Sequence, residues 1–202
     1  MAAALLMAGG RSQRAGRQHK SCRTLFGKPI TWIDLQVDRL RAAGFAPIIV
    51  VTGYRPRRLR ACLHRRVIVR HHFTARRGPF STIQRGLRAL DSSVLIVQTD
   101  TVLPPVPVLQ SLRRSVRRAA VCAASLRDRL GHGGHPLMLS AAWAKQLGNL
   151  AWSSPDARLD LQLRPLSATQ YIRVGGHSFY TYPPTNTLRQ WRSARRLLRN
   201  IP

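Results

Sequence analysis

Residues 8–20, AGGRSQRAGRQHK, combine two adjacent glycines with Arg11, Arg14, Arg17 and Lys20, and hold no acid. Glycine lets a ligand approach the backbone closely, and successive N–H groups in such a loop form a concavity for anions. Guanidinium groups neutralise phosphate oxygens through paired hydrogen bonds, and an ammonium does so as a point charge. The second candidate is Asp100, which follows the apolar run SSVLIVQT. Mg²⁺ usually needs only one or two carboxylates, with phosphate oxygens completing its shell. A triphosphate with its metal therefore fits between the basic loop and Asp100. The loop is not a Walker A motif, because five residues separate Gly10 from Gly16 and Arg17-Gln18 stands where Lys-Ser/Thr is needed. The residues alone leave two blander readings open: a solvated basic loop, and an aspartate that starts a turn before a proline-rich helix.

These residues need a scaffold, and the chain alternates strand and helix patterns that would supply one. AAALLMA (2–8) is a continuous apolar run, as expected of a strand buried on both faces. The pattern ITWIDLQVDRLRAAG, opened by Pro29 and stopped by Gly44, predicts a helix. Strands are expected at 46–52, 67–72, 92–99 and 119–126, with helices at 55–65, FSTIQRGLRAL and 104–118 between them. Such alternation implies a mostly parallel sheet with helices on both faces, a Rossmann-like three-layer α/β/α arrangement. Ligands in that architecture bind beyond the carboxyl ends of the strands, where the basic loop and Asp100 both fall. Past residue 127 the pattern predicts a Gly/His loop, a helix at SAAWAKQLG, a short helix near 156–163, two short strands around 170–182 and a basic amphipathic helix at the end. The expectation is one domain over 1–202, with the regular alternation ending near residue 126.

Composition limits the chemistry further. There are 34 Lys+Arg against 7 Asp+Glu, a formal charge of +27, and glutamate is absent. Such a field attracts polyanions. Any carboxylate metal site must draw on Asp34, Asp38, Asp91, Asp100, Asp128, Asp156 and Asp160. Cys22, Cys62 and Cys122 are odd in number and form no C-x-x-C, which reads as reduced thiols in the cytoplasm. AAALLMA is too short to span a membrane, and its arginines follow it rather than precede it, unlike a signal peptide. His132 and His135 read as part of a Gly-rich loop at a site edge more readily than as a metal pair. Trp143, Trp152 and Trp191 read as core or interface packing. The arginines of the terminal helix read as a solvated face or a nucleic-acid contact.

Several motifs together resemble a known family. Leu6 to Lys20, with Ala8-Gly9-Gly10, Arg14, Gly16 and Lys20, is similar to the signature L-A-[AG]-G-x-S/T-x-R-M-G-x-x-x-K of the MobA-like nucleotidyltransferases. That family includes molybdenum cofactor guanylyltransferase and cytidylyltransferase. Gly27-Lys28-Pro29-Ile30, GPFSTIQRGL (78–87), Asp100-Thr101 with Pro104-Pro105, and Gly134-His135-Pro136-Leu137 resemble further family motifs in the same order. The resemblance implies a nucleotide-diphospho-sugar transferase type of fold, with a nucleotide-binding half at 1–126 and an acceptor half with the terminal helix at 127–202. It implies that Leu6, Ala8, Gly9, Gly10, Arg11, Ser81 and Thr82 border the nucleotide, and that Arg14 and Lys20 act on the triphosphate. Asp100 would hold Mg²⁺, and His135 would lie near the acceptor. The implied reaction moves an NMP from CTP or GTP to a phosphate-bearing acceptor such as molybdopterin, with loss of pyrophosphate. The implied alternative is a degenerate member that binds nucleotide or nucleic acid without turnover. Three departures stand out: Ala15 replaces the motif methionine, 74–77 reads TARR without the acid some guanylyltransferases carry there, and FYTYPPTNTL (179–188) has no acid. A second metal ligand from that last stretch is absent or supplied differently.

Overall fold

The computed structural model describes residues 1–10, 20–25, 30–127, 133–175 and 187–199. Strand β1 (Ala2–Ala8) lies inside a seven-stranded sheet, parallel to β2 (Phe45–Thr52) on one side and β4 (Ser93–Gln98) on the other. β3 (Ile68–His71) extends the sheet beyond β2. Beyond β4 come β6 (Gly133–Leu139), β5 (Ala123–Arg127) and β7 (Tyr171–Val174), giving the order β3-β2-β1-β4-β6-β5-β7. β6 is antiparallel to both neighbours, and the other pairings are parallel.

The alternation of side chains along the strands builds two cores. Ala2, Ala4, Leu6 and Ala8 face α1 (Trp32–Ala42), α2 (Pro56–Ala61) and α4 (Val106–Ser115) through Ile33, Val37, Leu40, Leu59, Leu109 and Leu112. Ala3 and Leu5 face α3 (Pro79–Leu87) and α5 (Ala141–Asn149) through Phe80, Ile83, Leu87, Trp143 and Leu147. A side-chain period of two makes this division follow from the strand itself. Helix and sheet approach closely at Gly86, where a Cβ would lie 2.2 Å from Leu5. A smaller cluster joins Leu25, Trp32 and Val102 to Trp191, Ala194 and Leu198 of α7 (Leu188–Arg199), with Trp32 and Trp191 edge to face at 5.3 Å. The terminal helix thus buries one face, while Arg189, Arg192 and Arg196 remain exposed. Among the described residues no helix is long and apolar enough to cross a membrane.

Several expectations need correction. α1 begins at Trp32, not at Pro29, because Thr31 caps it: its hydroxyl oxygen accepts from the Asp34 N–H at 3.3 Å. Asp34 is fully buried and accepts from the Thr31 hydroxyl at 2.9 Å and from the N–H groups of His64 and Arg65 at 2.9 and 3.2 Å. That capture ends the helix expected over 55–65 at Ala61, since those N–H groups turn to a carboxylate. The expected Gly/His loop is in part strand β6, where Leu137, Met138 and Leu139 are buried. Its ladder to β4 stops at Leu137, next to Pro136, which has no N–H to donate. β5 starts at Ala123, four residues later than expected. Of the two strands expected around 170–182, β7 is present, and residues 176–182 lie outside the described residues. Cys22 and Cys62 are not free thiols: they form a disulfide, with Cα atoms 5.3 Å apart, and Cys122 is free. Trp143 and Trp191 are buried as expected, but Trp152 is 60% exposed. α6 (Leu159–Leu163) is shorter than expected.

Candidate active site

The winding of the sheet reverses at β1. The chain runs outward through β2 and β3, then crosses back to lay β4 on the other side. The carboxyl ends of β1 and β4 are direct neighbours, with Met7 opposite Gln98. Loops leaving two adjacent parallel strands in opposite senses open a crevice between them. A cleft of about 310 Å³ occupies this place. One wall is Met7, Ala8, Gly9 and Gly10, and the facing wall is Gln98, Thr99 and Asp100. Ala75, Gly78, Pro79 and Thr82, from the start of α3 and the turn before it, close one side.

The backbone is held tightly on both walls. Tyr54 donates its N–H to the Gly9 carbonyl at 3.3 Å. Gly53 packs so closely that a Cβ there would lie 2.6 Å from the Gly9 oxygen and 2.8 Å from the Ala75 Cβ. Gly10 is different, because a Cβ on it would meet nothing within 4 Å among the described residues.

On the other wall, the Thr99 hydroxyl donates to the Met7 carbonyl at 3.0 Å, tying β4 to β1 at the cleft floor. Three side chains along one face of α1 hold the chain that carries Asp100. Trp32 Nε1 donates to the Thr99 carbonyl at 2.6 Å, Gln36 Nε2 to Thr101 at 2.9 Å, and Arg39 to Leu103 at 3.0 Å. Positions 32, 36 and 39 share a face at helical spacing, so one rigid rod sets the carbonyls on both sides of Asp100.

Asp100 is the one aspartate among the described residues that lines the cleft. Asp34 serves the backbone bonds given above, Asp38 pairs with Arg65 at 2.7 Å, and Asp160 pairs with Arg158 at 2.9 Å. Asp91 and Asp156 are exposed elsewhere, and Asp128 lies outside the described residues. No group of three or more His, Cys, Asp or Glu gathers among the described residues. The donor set therefore suits a cation completed by substrate oxygens, as Mg²⁺ is, and not an all-protein cage.

The expected site residues divide. Ala8, Gly9, Gly10, Thr82 and Asp100 meet at the cleft. Leu6 does not: it is fully buried under α1, because its parity along β1 turns it into the core. Ser81 does not either. Neighbouring residues on a helix point about 100° apart, so Thr82 faces this cleft while Ser81 faces away. The Ser81 hydroxyl lies 2.7 Å from the Gly78 carbonyl and 3.0 Å from His72 Nε2. Arg11, Arg14, Arg17 and His132 lie outside the described residues. Lys20 opens a one-turn 3₁₀ helix, Lys20–Cys22, and its side chain lies outside them too.

His135 does not line the cleft. Its Nδ1 is wholly buried, without a hydrogen-bond partner among the described residues. Burial lowers its pKa, while the Ile96 backbone and the Asp100 charge oppose that effect. Sequence reasoning missed Gly53, Ala75, Gln98 and Thr99, which border the cleft or abut its wall. Gly53 carried a usable signal, since a glycine directly after the strand TG step beside β1 marks a close backbone approach.

The fold resembles known nucleotidyltransferase structures. A nucleotidyl transferase from Methanothermobacter thermautotroptrophicus superimposes with a TM-score of 0.79 at 21% identity, covering 98% of each chain. Rv0371c from Mycobacterium tuberculosis gives 0.74 at 19% identity, covering 96% of this chain and 97% of that one. The same protein in complex with manganese gives 0.70 at 17% identity over the same shares. No curated protein matches the chain. The family model of the MobA-like NTP transferase domain matches residues 4–167, so the chain belongs to that family of nucleotidyltransferases.

Proposed function

We propose that the chain transfers an NMP from CTP or GTP to a phosphate-bearing acceptor, molybdopterin being the expected one, and releases pyrophosphate. The observation that carries this reading is the single cleft shared by Gly9, Gly10 and Asp100 at the reversal of the sheet. Gly9 and Gly10 let the phosphates approach the backbone, and Arg11, Arg14 and Lys20 neutralise them. Thr82 borders the nucleotide. Asp100 is the residue that would hold Mg²⁺, which supplies charge neutralisation on the phosphate oxygens. The manganese complex of Rv0371c supports a divalent ion in this fold. An oxygen of the acceptor phosphate attacks the α-phosphorus, and the α–β bridging bond breaks. Pyrophosphate leaves with the electron pair. The attacking oxygen is already ionised near neutral pH, so the site needs no general base, and positioning with charge neutralisation carries the step. His135 is assigned to the acceptor side through its nearness to Asp100, not through contact with the cleft.

A cytoplasmic setting, where NTPs are made, belongs to this reading. Thiol labelling of Cys22 and Cys62 in fresh lysate tests it, and a fully protected pair argues against a reducing compartment. Diffuse polyanion binding by the +27 charge is expected as a background, with a steep fall in salt.

The test is a thermal-shift panel of the four NTPs with and without Mg²⁺. Ligand at about 100 times its Kd stabilises the fold by about 2.7 kcal/mol. One NTP, CTP or GTP, should stabilise the chain in a Mg²⁺-dependent way, and Asp100→Asn should abolish the metal dependence and lower turnover at least about a hundredfold. Equal metal dependence in Asp100→Asn refutes the assignment of Asp100. Binding without turnover over a panel of phosphorylated acceptors favours the second reading, a nucleotide-binding member without activity. The observation behind that second reading is that Asp100 is the one carboxylate among the described residues that line the cleft.

A further inference from the structure

A second cleft of about 270 Å³ lies on the other side of the start of α3. It is bordered by Arg77, Arg85, Arg88, His72, Phe73 and Trp152, and none of the described residues that line it is an acid. Two features distinguish it from a solvated basic patch. It is partly organised in advance: the Arg85 Nε donates to the His71 carbonyl at 3.1 Å, and His72, only 8% exposed, is fixed by Ser81 at 3.0 Å. It also presents large rings to solvent, with Trp152 60% and Phe73 83% exposed. The Arg77 guanidinium lies 3.8 Å from the Trp152 ring centroid, and His71 and Phe73 pack at 4.2 Å. Exposed aromatic faces beside guanidinium groups are the elements that stack a planar ring and hold its phosphate. The volume falls just below the usual range for drug-sized ligands, about 300–1,000 Å³. It therefore suits one ring system and one phosphate, not a longer strand.

We propose that this cleft is a second ligand site, which takes a phosphorylated planar ring of the nucleoside monophosphate class. The ring stacks on Trp152, and the phosphate bridges Arg77 and Arg88. The proposal does not rest on the function assigned to the first cleft. It has a structural link to it, because Ser81 and Thr82, adjacent on α3, line the second and the first cleft respectively.

Trp152 supplies the readout, since Trp32, Trp143 and Trp191 are buried and Trp152 is the exposed indole. GMP, CMP and inorganic phosphate are titrated into the full chain while tryptophan emission is followed. A nucleoside monophosphate should quench saturably, and Trp152→Phe should abolish the quench. Arg77→Gln with Arg88→Gln should weaken binding about tenfold or more, as expected for loss of charge-assisted hydrogen bonds. These arginines and Trp152 are exposed, so the fold should survive. Arg192→Gln with Arg196→Gln, on the exposed face of α7, should leave the affinity unchanged, and Asp100→Asn should too. The proposal is overturned by no saturable quench up to about 10 mM, by equal loss in the α7 pair, or by equal quenching with inorganic phosphate. Loss of the quench in Asp100→Asn would overturn it as well, by assigning the signal to the first cleft.

Discussion

Gly53 links the fold to the site most directly, so Gly53→Ala is the sharpest perturbation. Its backbone lies outside the left-handed region, so alanine is allowed there and the effect is one of contact alone. The new methyl would sit 2.6 Å from the Gly9 oxygen, 2.8 Å from the Ala75 Cβ and 3.0 Å from the Gly9 Cα. Ordinary contact begins near 3.4 Å, so the Gly9 carbonyl and Gly53 must separate by the difference, 0.8 Å. Two of the three atoms are backbone and cannot rotate away. Overpacking of this kind costs about 1–3 kcal/mol, and each kcal/mol lowers Tm by about 2–4 °C in a chain of this size. Gly9 forms the cleft wall, and a displacement of about 1 Å at a reacting site costs on the order of a hundredfold in rate. NTP affinity by calorimetry, turnover by pyrophosphate release, and Tm by circular dichroism measure all three effects. Gly10→Ala is the control: its Cβ meets nothing within 4 Å among the described residues, so Tm should hold while ligand affinity falls. A Gly53→Ala chain with wild-type Tm and wild-type NTP affinity would refute the argument that the β2 end sets the position of Gly9.

Other expectations follow from the same geometry. Asp34→Asn weakens the bonds to His64 N–H and Arg65 N–H and should cost about 2–4 kcal/mol by chemical denaturation, while NTP binding by the folded fraction is retained. Trp32→Phe removes the donor to the Thr99 carbonyl and should cost about 1–3 kcal/mol, with Mg²⁺-dependent binding weakened more than binding without metal. Burial lowers the pKa of both His72 and His135 from the ordinary value, 6.5, and for His72 the nearby Arg85, Arg77, His71 and Arg88 lower it further. The folded chain then binds fewer protons than the unfolded chain below that value, so stability is full above about pH 6.5 and declines as pH falls from there. Tm measured from pH 8 downward should show this decline, reduced in His72→Gln and in His135→Gln. A Tm that rises on acidification would contradict the sign.

Much of this was legible in the residues. Apolar runs at 2–8 and 92–99 carry enough hydrophobic pattern to specify buried parallel strands, and the glycine pair after the first run falls on the cleft wall. Asp100 was legible because so few acids compete with it. Thr31-x-x-Asp34 shows where local pattern falls short: Thr31 caps one helix, while the Asp34 carboxylate captures the N–H groups of residues about thirty positions away and so shortens another. β6 escaped detection because an antiparallel strand containing Gly, His and Pro has no local signature, and it exists only because β4 and β5 offer it two edges.

The chain alone determined its alternating strands and helices, the basic glycine loop and the family motifs, since these depend on periods of two and 3.6 and on side-chain chemistry. Tertiary structure decided which residues share a surface. It sent Leu6 into the core and Ser81 to the second cleft, brought Gly53 and Ala75 against the first, and paired Cys22 with Cys62. The physical reason is that parity along a strand and rotation about a helix select the face, but only the order of strands in the sheet selects what that face meets.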